Sequence, residues 1–367
     1  MVSMEELLNL MVQRGGSDLH LSVGSPPRVR IDGRVQDTEF DPVSPEVAKN
    51  LVYSVLSADQ VARFEKDLEL DFSFGVTNLG RFRTNAFMQR GTVAAVFRVI
   101  PFETHDFDQL GLPRGVCEWI CGLQKGLVLC TGATGSGKST TLASMVNFIN
   151  HHRQGHIVTI EDPIEFLHRN NKCLVNQREV GCDTRAFGRA LRSVLRQDPD
   201  VVLIGEMRDL ETIEAALTLA ETGHLTFATL HTSDAVQTVN RIVDVFPAHQ
   251  QQQIRTMLSF TLQAVVCQVL VPRAQGKGRS MAAEVMVANP AIRALIRDDK
   301  SHQIASMLQT GGQLGMQTMN QSIYELYRSG QVTYEDAAAY SPDQGEFQRL
   351  IQRTSRPDRA KRPLRSR

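Results

Sequence analysis

The sequence predicts an α/β fold in which a RecA-like P-loop core with a mainly parallel sheet follows a small α/β domain over residues 1–100. Three observations predict it. A short apolar run (Leu127, Val128, Leu129) leads into Gly132 to Ser139, a GxxxxGK[ST] pattern, and then into a helix with Leu142, Met145, Val146 and Ile149 at helical spacing. Strands at His156 to Ile160, Asp200 to Ile204 and Leu225 to Leu230 alternate with helices at Thr184 to Leu195 and Leu210 to Glu221, which is βαβ rhythm. Upstream, helix and strand signals alternate differently and end in consecutive strands, so that segment stands as its own domain.

In chain order, Met4 to Val12 is a short amphipathic helix with Leu7, Leu8 and Met11 on its apolar face, stopped by Gly15-Gly16-Ser17. Leu19 and Leu21 alternate with polar residues as a strand, and Asp32-Gly33 between Ile31 and Val35 signals a hairpin. Pro45 to Lys66 has helical spacing. Leu70 to Phe74, Arg81 to Met88 and Thr92 to Ile100 read as strands, and period-2 alternation puts Arg81, Arg83 and Asn85 on one face. Such a face is ordinarily just solvated; the sharper reading is a site that reads phosphate on a neighbour. Residues 101–114 read as a linker, 115–289 as the core, 290–353 as a C-terminal helical region forming a bundle and 354–367 as a basic, disordered tail. After Pro247 the chain reads as mostly helical, with a helix from Gln250 to Val266 and a short strand near Val269. The tail, with five basic residues in the last nine, is either solvated or a contact for anionic headgroups.

Bulk properties narrow the function. The 367 residues suit about two domains, and Lys plus Arg equals Asp plus Glu at 40 each, so no global basic field favours nucleic acid. No run of 18 apolar residues occurs and the N-terminus is acidic, which points to the cytoplasm. Six scattered cysteines form no CxxC pair and read as buried free thiols. Cys117 and Cys121, one helical turn apart, are too few for a structural zinc.

The chemistry centres on the P-loop. Gly132, Ala133, Thr134, Gly135, Ser136, Gly137, Lys138, Ser139 and Thr140 form a cradle in which backbone N–H groups and a helix N-terminus hold polyphosphate, hence ATP with Mg²⁺. Lys138 should reach the β and γ phosphates and Ser139 should sit on the metal. Carboxylates at the carboxyl ends of parallel strands lie where open sheets bind ligands. Glu206 ends one such strand, with Gly205 where a Walker B Asp is more usual, and suits the metal; Glu161 ends another and suits the attacking water. Each also has a plain alternative as a cap or surface acid. His224 and His231 flank the strand Leu225 to Leu230; a lone His is ordinarily a satisfied hydrogen-bond partner, but His231 shares the edge of Glu161 and Glu206 and is placed to sense the γ-phosphate.

Four blocks, Gly132 to Ser139, Thr159 to Glu165, Val201 to Asp209 and Gly223 to Thr232, resemble the Walker A, Asp box, atypical Walker B and His box of the type II/IV secretion ATPase superfamily. Within it, Arg14-Gly-Gly-Ser-Asp-Leu-His-Leu, Asn176-Gln-Arg-Glu-Val-Gly and the helix Ala291 to Arg297 resemble the PilT-type retraction ATPases of type IV pili, from about residue 4 to 353. The resemblance implies a PAS-like first domain and a cytoplasmic homo-hexamer, peripheral at the inner membrane, acting on an inner-membrane platform protein, with a paralogous retraction ATPase as a further partner. It implies Glu161 as general base, Glu206 as Walker B acid, His224 and His231 as the His-box ends, and Arg83 and Arg98 as arginines completing a neighbour's active site. Ala294 stands where that motif commonly carries Asn. Ile292, Leu295 and Ile296 make an apolar stripe that serves either packing or partner contact, while Ala291, Arg293 and Arg297 are expected to be free for a partner. Rival readings are a PilU-type accessory retraction ATPase, an extension or secretion ATPase, a RecA-like nucleic-acid translocase and a non-hydrolysing scaffold.

Overall fold

The computed structural model describes residues 2–77, 79–102 and 104–355, with the side chains of 353–355 excepted. Of the expected basic tail, residues 356–367 lie outside the described residues. Two compact units divide the chain: Met1–Glu103 with Ile164–Leu167, and Thr104–Pro163 with His168–Arg367.

In the first unit, β1 (Asp18–Leu21), β2 (Arg28–Ile31), β3 (Arg34–Asp37), β4 (Glu69–Val76), β5 (Gly80–Gln89) and β6 (Thr92–Ile100) form an antiparallel sheet in the order β3-β2-β1-β6-β5-β4. Asp32 and Gly33 both take positive φ, 47° and 79°, so the Asp-Gly pair makes the expected two-residue turn between β2 and β3. Ser3 opens the helix Met4–Gln13 with a capping box to Glu6, and Leu7, Leu8 and Met11 share a core with Leu19, Phe82 and Phe97. The single helix expected over Pro45 to Lys66 is two, Pro45–Tyr53 and Ala58–Asp67. Ser57 separates them because its hydroxyl takes the Gln60 N–H while the Gln60 side chain takes the Ser57 N–H, a reciprocal start signal inside a continuous helical pattern.

In the second unit, β7 (Gly126–Thr131), β8 (Gly155–Glu161), β9 (Cys173–Glu179), β10 (Val201–Ile204), β11 (Leu225–Leu230), β12 (Leu262–Pro272) and β13 (Arg279–Val287) lie in the order β13-β12-β7-β11-β10-β8-β9. All neighbours are parallel except β12 and β13. This is the α/β class expected. Alternate residues of β7 serve opposite faces: Leu127 and Leu129 join one core with Ile204, Leu217 and Val239, while Val128 and Cys130 join the other with Met145, Ile149 and Ile120. Gly126 to Thr131 are all buried, as a central strand covered on both faces requires.

Three expectations change. The helix expected over Gln250 to Val266 is Ala248–Thr261, and Leu262 starts β12 directly. Leu258, Thr261, Leu262 and Val265 fit a helical stripe, but Val265, Val266, Val269 and Val271 are β-branched and gain a place between β7 and β13. The region after Pro247 is therefore less helical than its spacing suggests. β9 carries no expected strand signal and pairs with β8 at the sheet edge. The segment expected as a linker contains its own short helix, Phe107–Leu110, capped by Asp106, with Arg114 paired to Asp106, Asp108 and Glu118. Among the described residues no helix is long and apolar enough to cross a membrane.

The C-terminal helices do not form a self-contained bundle: Ile292, Ile296, Ile323 and Phe347 belong to the same core as Ile204 and Leu217. Replacing Ile292, 0 % exposed, with Ala should cost about 2–5 kcal/mol. Arg297→Ala, on the exposed side of the same helix, should stay within about 0.5 kcal/mol. Urea unfolding of the two variants checks the contrast.

Candidate active site

β7 delivers the chain into the P-loop, and Gly137, with φ 91°, caps the helix Lys138–His152. Glycine is required at Gly132: its φ is 139°, and a Cβ there would lie 2.4 Å from the Gln268 carbonyl oxygen and 2.7 Å from Ser136 Oγ. The Lys138 ammonium, 8 % exposed as a residue, donates to the carbonyls of Gly132 at 2.8 Å and Ala133 at 3.1 Å, so it lies across the mouth of the loop. Ser136 Oγ is buried and makes no hydrogen bond among the described residues, a polar atom within the loop suited to a phosphate oxygen.

The neighbouring strands end beside this loop. Gly205 follows β10 and Glu161 ends β8; a Cβ on Gly205 would meet Glu161 Cα and the Ile160 carbonyl oxygen at 3.3 Å each. That is a tight contact, so glycine lets the two strand ends approach without displacing either neighbour. Glu161 Oε1 accepts from Thr159 Oγ1 at 2.6 Å and from Gln177 Nε2 at 3.2 Å, which fixes one carboxylate oxygen. Glu206 Oε1 lies 3.1 Å from His231 Nε2 and Oε2 lies 2.8 Å from Arg208 Nη2. Burial would raise the Glu206 pKa, but the Arg208 hydrogen bond and the charges of Arg208, His231 and Lys138 outweigh it and hold the carboxyl below its ordinary range. Glu206 is therefore ionised at neutral pH. Its carboxylate and the Ser139 hydroxyl are hard oxygen donors and fit Mg²⁺, which takes one or two protein oxygens alongside phosphate.

His224 is not part of this group. It precedes β11, whereas His231 follows it, so the two stand at opposite ends of a six-residue strand, about 20 Å apart. His224 Nδ1 instead bonds the Leu219 carbonyl at 3.0 Å and Thr222 Oγ1 at 3.2 Å, closing the preceding helix. The helix Pro290–Arg297 decides between the two readings of its stripe and departs from expectation at Arg293. Ile292 and Ile296 are fully buried and Leu295 packs against the same core, so packing takes up the stripe. Arg293 is not free: its guanidinium donates to the carbonyls of Ser259 at 2.8 Å and Phe260 at 2.9 Å and to Gln263 Oε1 at 2.9 Å. It satisfies the last carbonyls of Ala248–Thr261, which lack helical partners. Ala291 and Arg297 remain exposed, Arg297 beside Asp298 at 3.4 Å.

Arg83 and Arg98 lie in the first unit as direct cross-strand partners on β5 and β6. Register extends them into one row across the sheet: Arg30, Asp18, Arg98, Arg83, Ser73. Asp18, its side chain 4 % exposed, accepts from Arg98 Nε at 2.7 Å and Ser17 Oγ at 2.7 Å and so holds Arg98 in place. Burial pushes the Asp18 pKa up, and the hydrogen bonds from Ser17 and Arg98 outweigh it, leaving the carboxyl below 3.8. Asp18, Thr159, Gln177 and Arg208 lie inside the sequence blocks quoted above but carry no role there, and Gln268 lies outside all of them. Gln268 had a signal, a lone polar residue within the apolar run from Val265 to Val271.

A glycine-rich loop between a central parallel strand and a helix, with acids on adjoining strand ends, defines a P-loop nucleotide-binding protein. A family model described as Type II/IV secretion system protein matches residues 4–339, and the chain belongs to that family of ATPases, in its PilT-type branch. It is 51% identical over 332 residues to the type IV pilus retractation ATPase PilT of Pseudomonas aeruginosa, covering 90% of this chain and 96% of the relative. To the type IV pilus ATPase PilU of the same organism it is 42% identical over 354 residues, covering 96% and 92%. A crystal structure of the pilus retraction motor PilT with bound ADP superposes with a TM-score of 0.88 at 50% identity, covering 95% of this chain and all of that one.

The lowered pKa of Asp18 sets a pH dependence. A depressed carboxylate contributes stability above its unfolded pKa and loses it as pH falls through the folded value. Asp18→Asn should therefore melt several degrees below the wild type at pH 7, and the two curves should converge at pH values well below 3.8. Thermal melts across that range measure it.

Proposed function

We propose that this chain is a subunit of a homo-hexameric motor that hydrolyses ATP to ADP and phosphate. In this reading it drives type IV pilus retraction, and so twitching motility, from the cytoplasmic side of the inner membrane through a platform protein. The observation that carries this reading is 51% identity to a named retraction ATPase along 96% of that relative's length. The geometry supports the chemistry. Loop amides and Lys138 would hold the β and γ phosphates; Ser139 and Glu206 would hold Mg²⁺, which supplies positive charge to the phosphate oxygens. Glu161, with one oxygen pinned by Thr159 and Gln177, would take the proton of the attacking water. His231 stands beside Glu206 and would donate to the γ-phosphate.

Arg83 and Arg98 would complete the site of a neighbouring subunit. Two guanidiniums directly opposite on a sheet repel each other, and an anion between them turns that repulsion into binding. This function needs a ring. Of the helix positions expected to meet a partner, Arg297 and Ala291 are the exposed ones and are left for the platform protein. A second reading, a PilU-type accessory ATPase, is favoured by 42% identity over 96% of the chain, and such a paralogue would also be a partner. Restoring twitching to a strain that lacks only its retraction ATPase supports the first reading; restoring only a strain that lacks the accessory protein supports the second. The balanced charge speaks against a nucleic-acid translocase.

Lys138→Ala should lower turnover at least ~10²-fold while the protein still folds. Glu161→Gln should bind ATP with near-normal affinity and hydrolyse it ~10²-fold more slowly or worse. Phosphate release and nucleotide binding, measured together, check both. Mixing Arg83→Ala with Lys138→Ala subunits should recover activity, because some interfaces then pair an intact loop with an intact arginine. No recovery at any ratio, with subunit exchange confirmed, would remove Arg83 from the neighbour's site.

A further inference from the structure

We propose that Gln268 is a positioning residue for nucleotide binding: from β12 it pins the Ser136–Gly137 peptide so that the Gly137 N–H faces the phosphates. The proposal rests on the P-loop reading above and adds to it a residue outside every nucleotide motif in the sequence. Parallel pairing sets Cys267 against Thr131, which brings Gln268 level with the first residue of the loop. Gln268 is 2 % exposed. Its Nε2 donates to the Ser136 carbonyl at 2.8 Å, and its Oε1 accepts from Cys130 Sγ at 3.2 Å.

The two contacts form one device. Burial raises the Cys130 thiol to about 12, so it stays protonated and is a donor. The Ser136 carbonyl can only accept, so it takes the nitrogen end of the amide; the oxygen end is left to the Cys130 thiol, whose sulfur lies nearer to it than to the Lys138 carbonyl, 3.2 against 3.9 Å. In a planar trans peptide the C=O and N–H point in opposite directions. Tying the Ser136 carbonyl to β12 therefore directs the Gly137 N–H away from β12, toward the side where loop amides converge on phosphate. A pin is needed because Gly137, at φ 91°, is free to take either sign of φ, so rotation of this peptide is otherwise cheap. The rotated form would turn a carbonyl oxygen toward phosphate oxygens and remove a donor. Gln268 packs closely enough to act: a Cβ on Gly132 would lie 2.4 Å from its carbonyl oxygen, and one on Gly137 would lie 3.2 Å from its Nε2.

A plain alternative is that Gln268 only satisfies two buried groups. That role would lower the folded fraction, hence kcat, and leave KM alone. A pinned loop amide binds ground state and transition state alike, so its loss raises KM and spares kcat. The test is steady-state ATPase, with calorimetric Kd values for ADP, on the full chain as wild type, Gln268→Met, Cys130→Ala and Cys130→Ser. Gln268→Met keeps the volume and loses both hydrogen bonds. Its KM for ATP and Kd for ADP should rise about 5–10-fold, the worth of one hydrogen bond, with kcat within about 2-fold. Cys130→Ala, which removes the hold on the amide oxygen and loosens the side chain, should raise both constants about 2–3-fold, and Cys130→Ser, which keeps a donor, should bring them back toward wild type. Unchanged KM and Kd in Gln268→Met, or a fall in kcat alone, overturn the proposal. If Gln268→Met does not fold, unchanged constants in Cys130→Ala overturn it. A wild type that binds ADP but does not turn over ATP refutes the motor instead, and the Kd comparison still decides the role of Gln268; a wild type that binds no nucleotide refutes both.

Discussion

Everything at the site depends on the parallel register of β7, β8, β10, β11 and β12. Thr131 faces both Leu230 and Cys267, and Ile204 faces both Ala228 and Ile160. Four strand ends thus arrive at one edge, bringing the P-loop, His231, Glu206 and Glu161 with them, while β12 runs on past that edge and sets Gln268 beside the loop. The register is held by burial on two faces. A slip of one residue in β7 would exchange Leu127 and Leu129 with Val128 and Cys130 and misplace both cores together.

Close packing and charge then divide the work. Gly132 stands where a side chain would strike neighbouring atoms and Gly205 where one would be tightly packed, and they let the loop and two strand ends approach. In the space so formed, the ionised Glu206 stands beside His231 and among the cations of Arg208 and Lys138, a setting that suits a site for phosphate and metal together. The supporting hydrogen bonds come from uncharged groups: Thr159 and Gln177 on Glu161, and Gln268 on the loop. In the first unit, charge does the same positioning, with Asp18 anchoring Arg98 in the arginine row.

The parts of this arrangement legible in the sequence are those carried by local pattern. The P-loop, the acids ending β8 and β10, the Asp-Gly turn and the alternating face of β5 each occupy a few consecutive residues, and the α/β class follows from their rhythm. What escaped notice is non-local. Gln268 meets the loop across 132 residues and Asp18 meets Arg98 across 80, and no periodicity reports such pairs. β12 was obscured because its first residues also fit a helical stripe, and only a partner strand decides between the two. Arg293 illustrates the converse error: a helical wheel places it on an outer face, but the carbonyls it meets end another helix.

Convergence of strand ends on one nucleotide is the central claim, and a crystal structure with Mg²⁺ and a non-hydrolysable ATP analogue tests it most directly. The β-phosphate should lie within hydrogen-bonding distance of the amides of Gly137 and Lys138, the metal on Ser139, and Glu161, Glu206 and His231 around the γ-phosphate. A polyphosphate bound away from the loop, or a γ-phosphate that none of those three side chains approaches directly or through one water, would contradict it.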